Sequence, residues 1–120
     1  MATPNLGSIT NVIPGILASM RLASGGNAVF TVASGKAAKL ATLVLTNTST
    51  SNVVISVSVV PSGGTADGTH TIVSGYQLAP GETLALDEVK GMWVGDSDSI
   101  SVAAGAANAV VVTLTGLVFS

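Results

Sequence analysis

Apolar and small polar positions alternate through most of this chain. Val53, Ile55, Val57 and Val59 fall on one parity and Val54, Ser56, Ser58 and Val60 on the other, the period of two expected of a half-buried strand. The same alternation runs through residues 38–47, where Ala41, Leu43 and Leu45 share one face and Thr42, Val44 and Thr46 the other. Further strands are predicted over residues 28–33, 70–78, 83–89, 100–102 and 109–119. They place Phe30 with Val32 on one face, Ile72 with Tyr76 and Leu78 on another, and Val110, Val112 and Leu114 on a face expected to be buried. Gly116 marks an expected bulge that would change the facing of residues 117–119.

Turn formers separate these runs. The segment 61–68 reads as an exposed loop, 103–108 as a small-residue turn, and the pairs Gly25-Gly26 and Gly63-Gly64 as turns. In Ala79-Pro80-Gly81-Glu82, proline presets φ at the first corner and glycine accepts a positive φ at the second. No segment joins helical periodicity to caps. The fold expected is an all-β antiparallel sandwich, Ig-like or jelly-roll-like, of about seven to eight strands linked by short hairpin-like connections.

Residues 1–24 differ from the rest, with Pro4, Gly7, Pro14 and Gly15 interrupting any long element. They are expected to form an extended N-terminal arm with short strands near 8–13 and 17–22, ahead of a sandwich domain over 25–120. The arm either pairs with a neighbouring subunit or packs along the domain's own edge. An apolar stretch that precedes Arg21, and that Pro14 and Gly15 break, does not fit a secretory signal, so the start is read as part of the mature protein.

Composition narrows the function classes. Hydrophobic residues make up 48% of the 120 residues and charged ones only 8%, with a net charge of −2. Four scattered cations, Arg21, Lys36, Lys39 and Lys90, are too few to neutralise a run of phosphates, so no nucleic-acid partner is expected. Mean hydropathy is +0.67, yet no stretch approaches the roughly 20 apolar residues of a spanning helix, and no membrane partner is expected. Cysteine is absent, which excludes disulfides and thiolate metal sites. So apolar a chain with so few charges is expected to associate with itself or with an assembly.

The residues able to do chemistry do not form a convincing set. His70 is the single histidine and no G-x-S-x-G elbow accompanies it, so no catalytic triad is assigned. Asp96 and Asp98 lack the glycine and closing glutamate of a calcium loop and read as a solvated turn. Glu82 stands at the opposite end of its expected strand from Asp87 and Glu88, which does not suit a pair flanking one glycosidic bond. Asn47-Thr48-Ser49 satisfies the N-glycosylation triplet, a pattern short enough to arise by chance. Phe30, Tyr76, Trp93 and Phe119 are the aromatic residues, with Trp93 suited either to a subunit contact or to the core edge. No catalytic, cofactor or metal residues are therefore assigned, and the chain is expected not to be an enzyme.

The string Ala28-Val-Phe-Thr-Val-Ala-Ser-Gly-Lys36, with Ala38-Lys-Leu-Ala-Thr-Leu-Val-Leu-Thr-Asn-Thr-Ser49 after it, resembles the small β-sandwich modules of tailed-bacteriophage virions. The likeness extends through 57–64, 78–84 and a closing hairpin at 101–116, and covers residues 28–119. It implies a non-enzymatic virion component: a capsid decoration or minor capsid protein, self-associating as a homotrimer, with the major capsid protein or other head or tail proteins as partners. The alternative is a tail- or fibre-associated module that binds a host receptor or glycan through loop 61–69 with Tyr76 or Trp93. The arm at 1–22 lies outside the resemblance and is the candidate clamp.

Overall fold

The computed structural model describes residues 11–66 and 68–120. Within them the chain forms nine strands: β1 (Val12–Arg21), β2 (Gly25–Thr31), β3 (Ala37–Asn47), β4 (Val53–Val60), β5 (Thr71–Leu78), β6 (Thr83–Ala85), β7 (Trp93–Val94), β8 (Ser99–Ala104) and β9 (Val110–Phe119). Sheet A runs β1-β9-β3-β6, with β7 also on β3 beyond β6, and sheet B runs β2-β8-β4-β5. Every pairing is antiparallel. The two sheets pack face to face as a β-sandwich.

The core is what alternation demands. From sheet A come Leu40, Leu43, Leu45, Val112 and Leu114, and from sheet B Ile55, Val57, Ile100 and Val102, all fully buried. Each such side chain contributes about 1.5–3 kcal/mol on leaving water. Leu22 and Leu78 close the same core from strand ends. In β9 the alternation continues unbroken, with Val110, Val112, Leu114 and Gly116 buried and Val118 packed against the core.

The bulges therefore lie elsewhere than Gly116. They fall on its two neighbours, at Leu17 in β1 and Ala41 in β3. Ala41 consequently turns outward and is exposed, unlike Leu43 and Leu45 with which its parity had grouped it. A Cβ on Gly116 would meet the carbonyl oxygen of Lys39, with Leu40 Cα at 3.2 Å and a Leu17 methyl at 3.1 Å. Glycine thus marks the close approach, while the extra residues are inserted across from it.

Other boundaries moved for local reasons. Gly25 and Gly26 are not a free turn but the first rungs of β2, opposite Ala104 and Ala103. The strand expected over 83–89 stops at Ala85 and yields to a single 3-10 turn, Asp87–Val89. Val12–Arg21, within the segment expected as an arm, is the edge strand of sheet A, paired with β9 along its length. Pro14 and Gly15 do not divide it. The first ten residues of that segment lie outside the described residues.

Nor are the links mostly hairpins. The chain crosses between the sheets at nearly every connection, and only β4–β5 joins adjacent strands of one sheet. The segment read as a closing hairpin, 101–116, is one of these crossovers, with β8 in sheet B and β9 in sheet A.

Candidate interaction surface

Asn47, Asp96 and Asp98, three of the residues with chemical potential, are held in structural roles. Asn47 is fully buried. Its amide nitrogen donates to the carbonyls of Ser51 (2.8 Å) and Leu78 (3.0 Å), and its oxygen accepts from the Ser49 amide (3.0 Å) and hydroxyl (2.7 Å). The glycosylation triplet is thus a connector between β3, the 48–52 loop and β5, and its acceptor nitrogen is committed.

Asp96 and Asp98 are staples rather than a solvated turn. Asp96 is buried, and its two oxygens accept from the Gly35 amide (3.0 Å) and the Ser97 hydroxyl (2.7 Å). These bonds, the Gly35 amide first, hold its carboxyl below the usual carboxylate range. Asp98 accepts from the amides of Ser62 and Gly95, each at 2.8 Å. Together the two residues tie the 33–36 turn, the 61–70 loop and the 95–98 turn at one end of the sandwich. Ser97 between them takes a left-handed φ of 62°.

His70 lies where that loop enters β5; its carbonyl accepts from the Val59 amide, and a side chain at Gly64 would reach to 3.3 Å of its Nε2. Glu82 is separated from Asp87 and Glu88 by β6. Among the described residues no three His, Cys, Asp or Glu side chains gather where they could hold a metal ion.

What remains is surface, and its outward face on sheet A is distinctive. Register places Val12, Pro14, Ile16, Ser19 and Arg21 of β1 beside Phe119, Leu117, Thr115, Thr113 and Val111 of β9. Next come Lys39, Thr42, Val44 and Thr46 of β3, then Thr83 and Ala85 of β6 and Trp93 of β7. No outward strand position on this sheet carries a carboxylate. The Thr42 and Thr115 hydroxyls pair at 2.7 Å, as do those of Thr46 and Thr83 at 3.2 Å.

At one corner the Trp93 ring stacks on Phe119, centroids 5.0 Å apart and planes 26° from parallel, while Lys39 Nζ stands 5.6 Å from its centroid. Trp93 stays half exposed. Two shallow depressions meet on this face at Ala41 and Leu117. One, about 420 Å³, is apolar and bounded by Pro14, Ile16 and Thr115; the other, about 360 Å³, is rimmed by Lys39 and Lys90. Tyr76 sits on the other sheet, its hydroxyl bound to Glu82. Along β3, Glu82 adjoins the Asn47 end and Trp93 adjoins Lys39, so the two aromatics are about 25 Å apart at strand rise and do not form one platform.

This surface was not legible as a site because each of its strands, taken alone, shows only a Thr- and Val-rich outer parity. Register assembles them. Comparison with protein-family models, with curated proteins and with solved structures finds no match to this chain.

Proposed function

We propose that this chain is a non-enzymatic structural protein of a bacteriophage virion, a capsid decoration or minor capsid protein that binds and stabilises neighbouring coat subunits. The observation that carries the reading is the β1 edge, where Val12, Ile13 and Ile16 are 51%, 61% and 68% exposed on a long outer strand. Exposed apolar side chains on a sheet edge favour burial against another chain. The resemblance of residues 28–119 to phage sandwich modules supports the same reading.

The coat contact is assigned to these β1 side chains, and the test is incorporation. Particles from a host carrying this gene are banded by density and probed for the chain. The chain is expected in the particle band, and an Ile16→Asp variant, folded by circular dichroism, in reduced amount. A particle band free of the chain overturns the proposal.

The rival reading, a tail or fibre module for a receptor or glycan, draws on the half-exposed Trp93 ring. Trp93→Ala separates the two. Adsorption to host cells falls under the rival and is unchanged under the decoration reading.

A further inference from the structure

We infer that the outward face of sheet A is a homotypic docking surface, on which a second copy of this chain stacks face to face about a two-fold axis running across the strands. The inference needs only the isolated chain and does not rest on the virion reading.

Size comes first. Three long strand rows about 4.8 Å apart, β1, β9 and β3, each about ten residues long, with the short β6 and β7 and the turn between them as a fourth, cover roughly 600 Å² per copy. Doubled, that reaches the lower end of the 1,200–2,000 Å² or so that specific protein interfaces bury. Composition suits burial as well. Leu117, Val44, Val111 and Trp93 supply apolar area, and the two threonine pairs already exchange a hydrogen bond each, which reduces the cost of removing their hydroxyls from water.

Charge then selects the occupant. Arg21 and Lys39 point out of the face and Lys90 rims it, so a partner must either be neutral or bring carboxylates. The chain itself carries them beside Lys90, at Asp87 and Glu88 on the exposed 3-10 turn. That turn lies level with the middle of β3, anchored where the Leu86 amide meets the Leu43 carbonyl (2.9 Å) and the Gly91 amide meets the Leu40 carbonyl (2.7 Å). β6 covers the Val44–Thr46 side of it and β7 the Ala38–Lys39 side. A two-fold axis crossing β3 at Ala41 and Thr42 lays the turn on its own copy. Lys90 of one copy then faces Asp87 and Glu88 of the other, twice over. A patch that opposes itself in this way is what an isologous contact requires.

Sedimentation of the full chain across a concentration series tests the inference. The expected mass at high concentration is twice the 11.7 kDa of the chain. Val44→Glu, in the centre of the face, and Lys90→Glu, at its rim, should each raise the dimer dissociation constant about tenfold or more. Combining Lys90→Glu with Asp87→Lys and Glu88→Lys should restore it, because the opposed charges are exchanged. Lys90 is exposed, so its variant carries the test if Val44→Glu fails to fold. A chain monomeric at about 100 μM, one of trimer mass, or a dimer that both Val44→Glu and Lys90→Glu leave intact, overturns the inference.

Discussion

The Tyr76 hydroxyl donates a 2.8 Å hydrogen bond to Glu82 Oε2, joining an edge strand of sheet B to the turn that opens β6 in sheet A. The other carboxylate oxygen accepts from the Ala79 amide at 2.8 Å, while the Glu82 amide donates to the Ala79 carbonyl at 3.0 Å. One side chain thus braces the Pro80-Gly81 corner, where Gly81 takes a φ of 76°, and clasps the two sheets at that edge. The Ala79 amide first, and then the Tyr76 hydroxyl, hold the Glu82 carboxyl below its usual range. The same hydrogen bond raises the Tyr76 phenol above its own.

The two shifts act at opposite ends of the pH scale. A carboxylate whose folded pKa is lowered adds stability that is complete above its unfolded value and is lost as pH falls through the folded one. A phenol whose folded pKa is raised adds stability that is complete below its unfolded value and is lost as pH rises through the folded one. Glu82→Gln should therefore flatten the acid limb of a urea-midpoint profile taken between about pH 7 and pH 3. Tyr76→Phe should flatten the alkaline limb and leave the acid limb sloping. Profiles parallel to wild type in both variants would show that the clasp does not form in solution.

Asn47 makes four hydrogen bonds with no exposed surface, so its replacement strands partners on both sides. Asn47→Ala leaves the Leu78 carbonyl, at the end of β5, without its side-chain donor and should cost about 2–4 kcal/mol in denaturant unfolding. Asn47→Asp should cost at least as much, because it sets a carboxylate against two carbonyl oxygens. The folded chain should also resist glycan transfer at this triplet, which intact-mass measurement after expression in a glycosylating host would check. A homogeneous glycosylated product with wild-type stability would contradict the burial of Asn47.

Two facing glycines should respond differently to the same change. Gly15 and Gly116 pair across β1 and β9, yet a Cβ on Gly15 meets nothing within 4 Å, whereas one on Gly116 runs into the Lys39 carbonyl. That oxygen belongs to a central strand and cannot swing aside. Gly116→Ala is expected to lose about 1–3 kcal/mol by overpacking, and Gly15→Ala to stay within about 0.5 kcal/mol of wild type. Thermal unfolding of the pair decides it; equal losses would mean that β3 does not approach β9 as closely as it does here.

How far the sequence could be read follows from what each signal encodes. Period two is local, so β3, β4, β8 and β9 and the inward sets Val53/Ile55/Val57 and Val110/Val112/Leu114 were legible. Alternation says which side of a strand is buried but not which strand lies beside it, so the crossovers between sheets were hidden behind an expectation of hairpins. An insertion opposite a glycine looks the same in sequence as one at it, hence the misplaced bulge and the inverted Ala41. Asp96 and Asp98 read as solvated because acceptors in turns usually are, while two of the amides that fill them come from loops 61 and 36 residues away. The outward face of sheet A depends wholly on register, which no single strand declares.

Pro14 guards the edge that this arrangement leaves open. Asn11 and Ser120 exchange both backbone hydrogen bonds, at 2.9 and 3.0 Å, so pairs two residues further along, Ile13 with Val118 and Gly15 with Gly116, also direct their groups at β9. Val12, Pro14 and Ile16 then turn their backbone groups away from β9, to the unpaired side. A proline there removes a donor that the ladder of sheet A never uses but that an incoming strand would need. The missing donor disfavours strand addition at this edge and leaves side chains such as Ile16 to make the proposed coat contact. Pro14→Val restores the donor and adds a β-branched residue to an already apolar strand. Static light scattering over a concentration series should show the variant forming larger species than wild type, with far-ultraviolet dichroism unchanged. Scattering identical to wild type would mean that the β1 edge is protected by something other than this missing N–H.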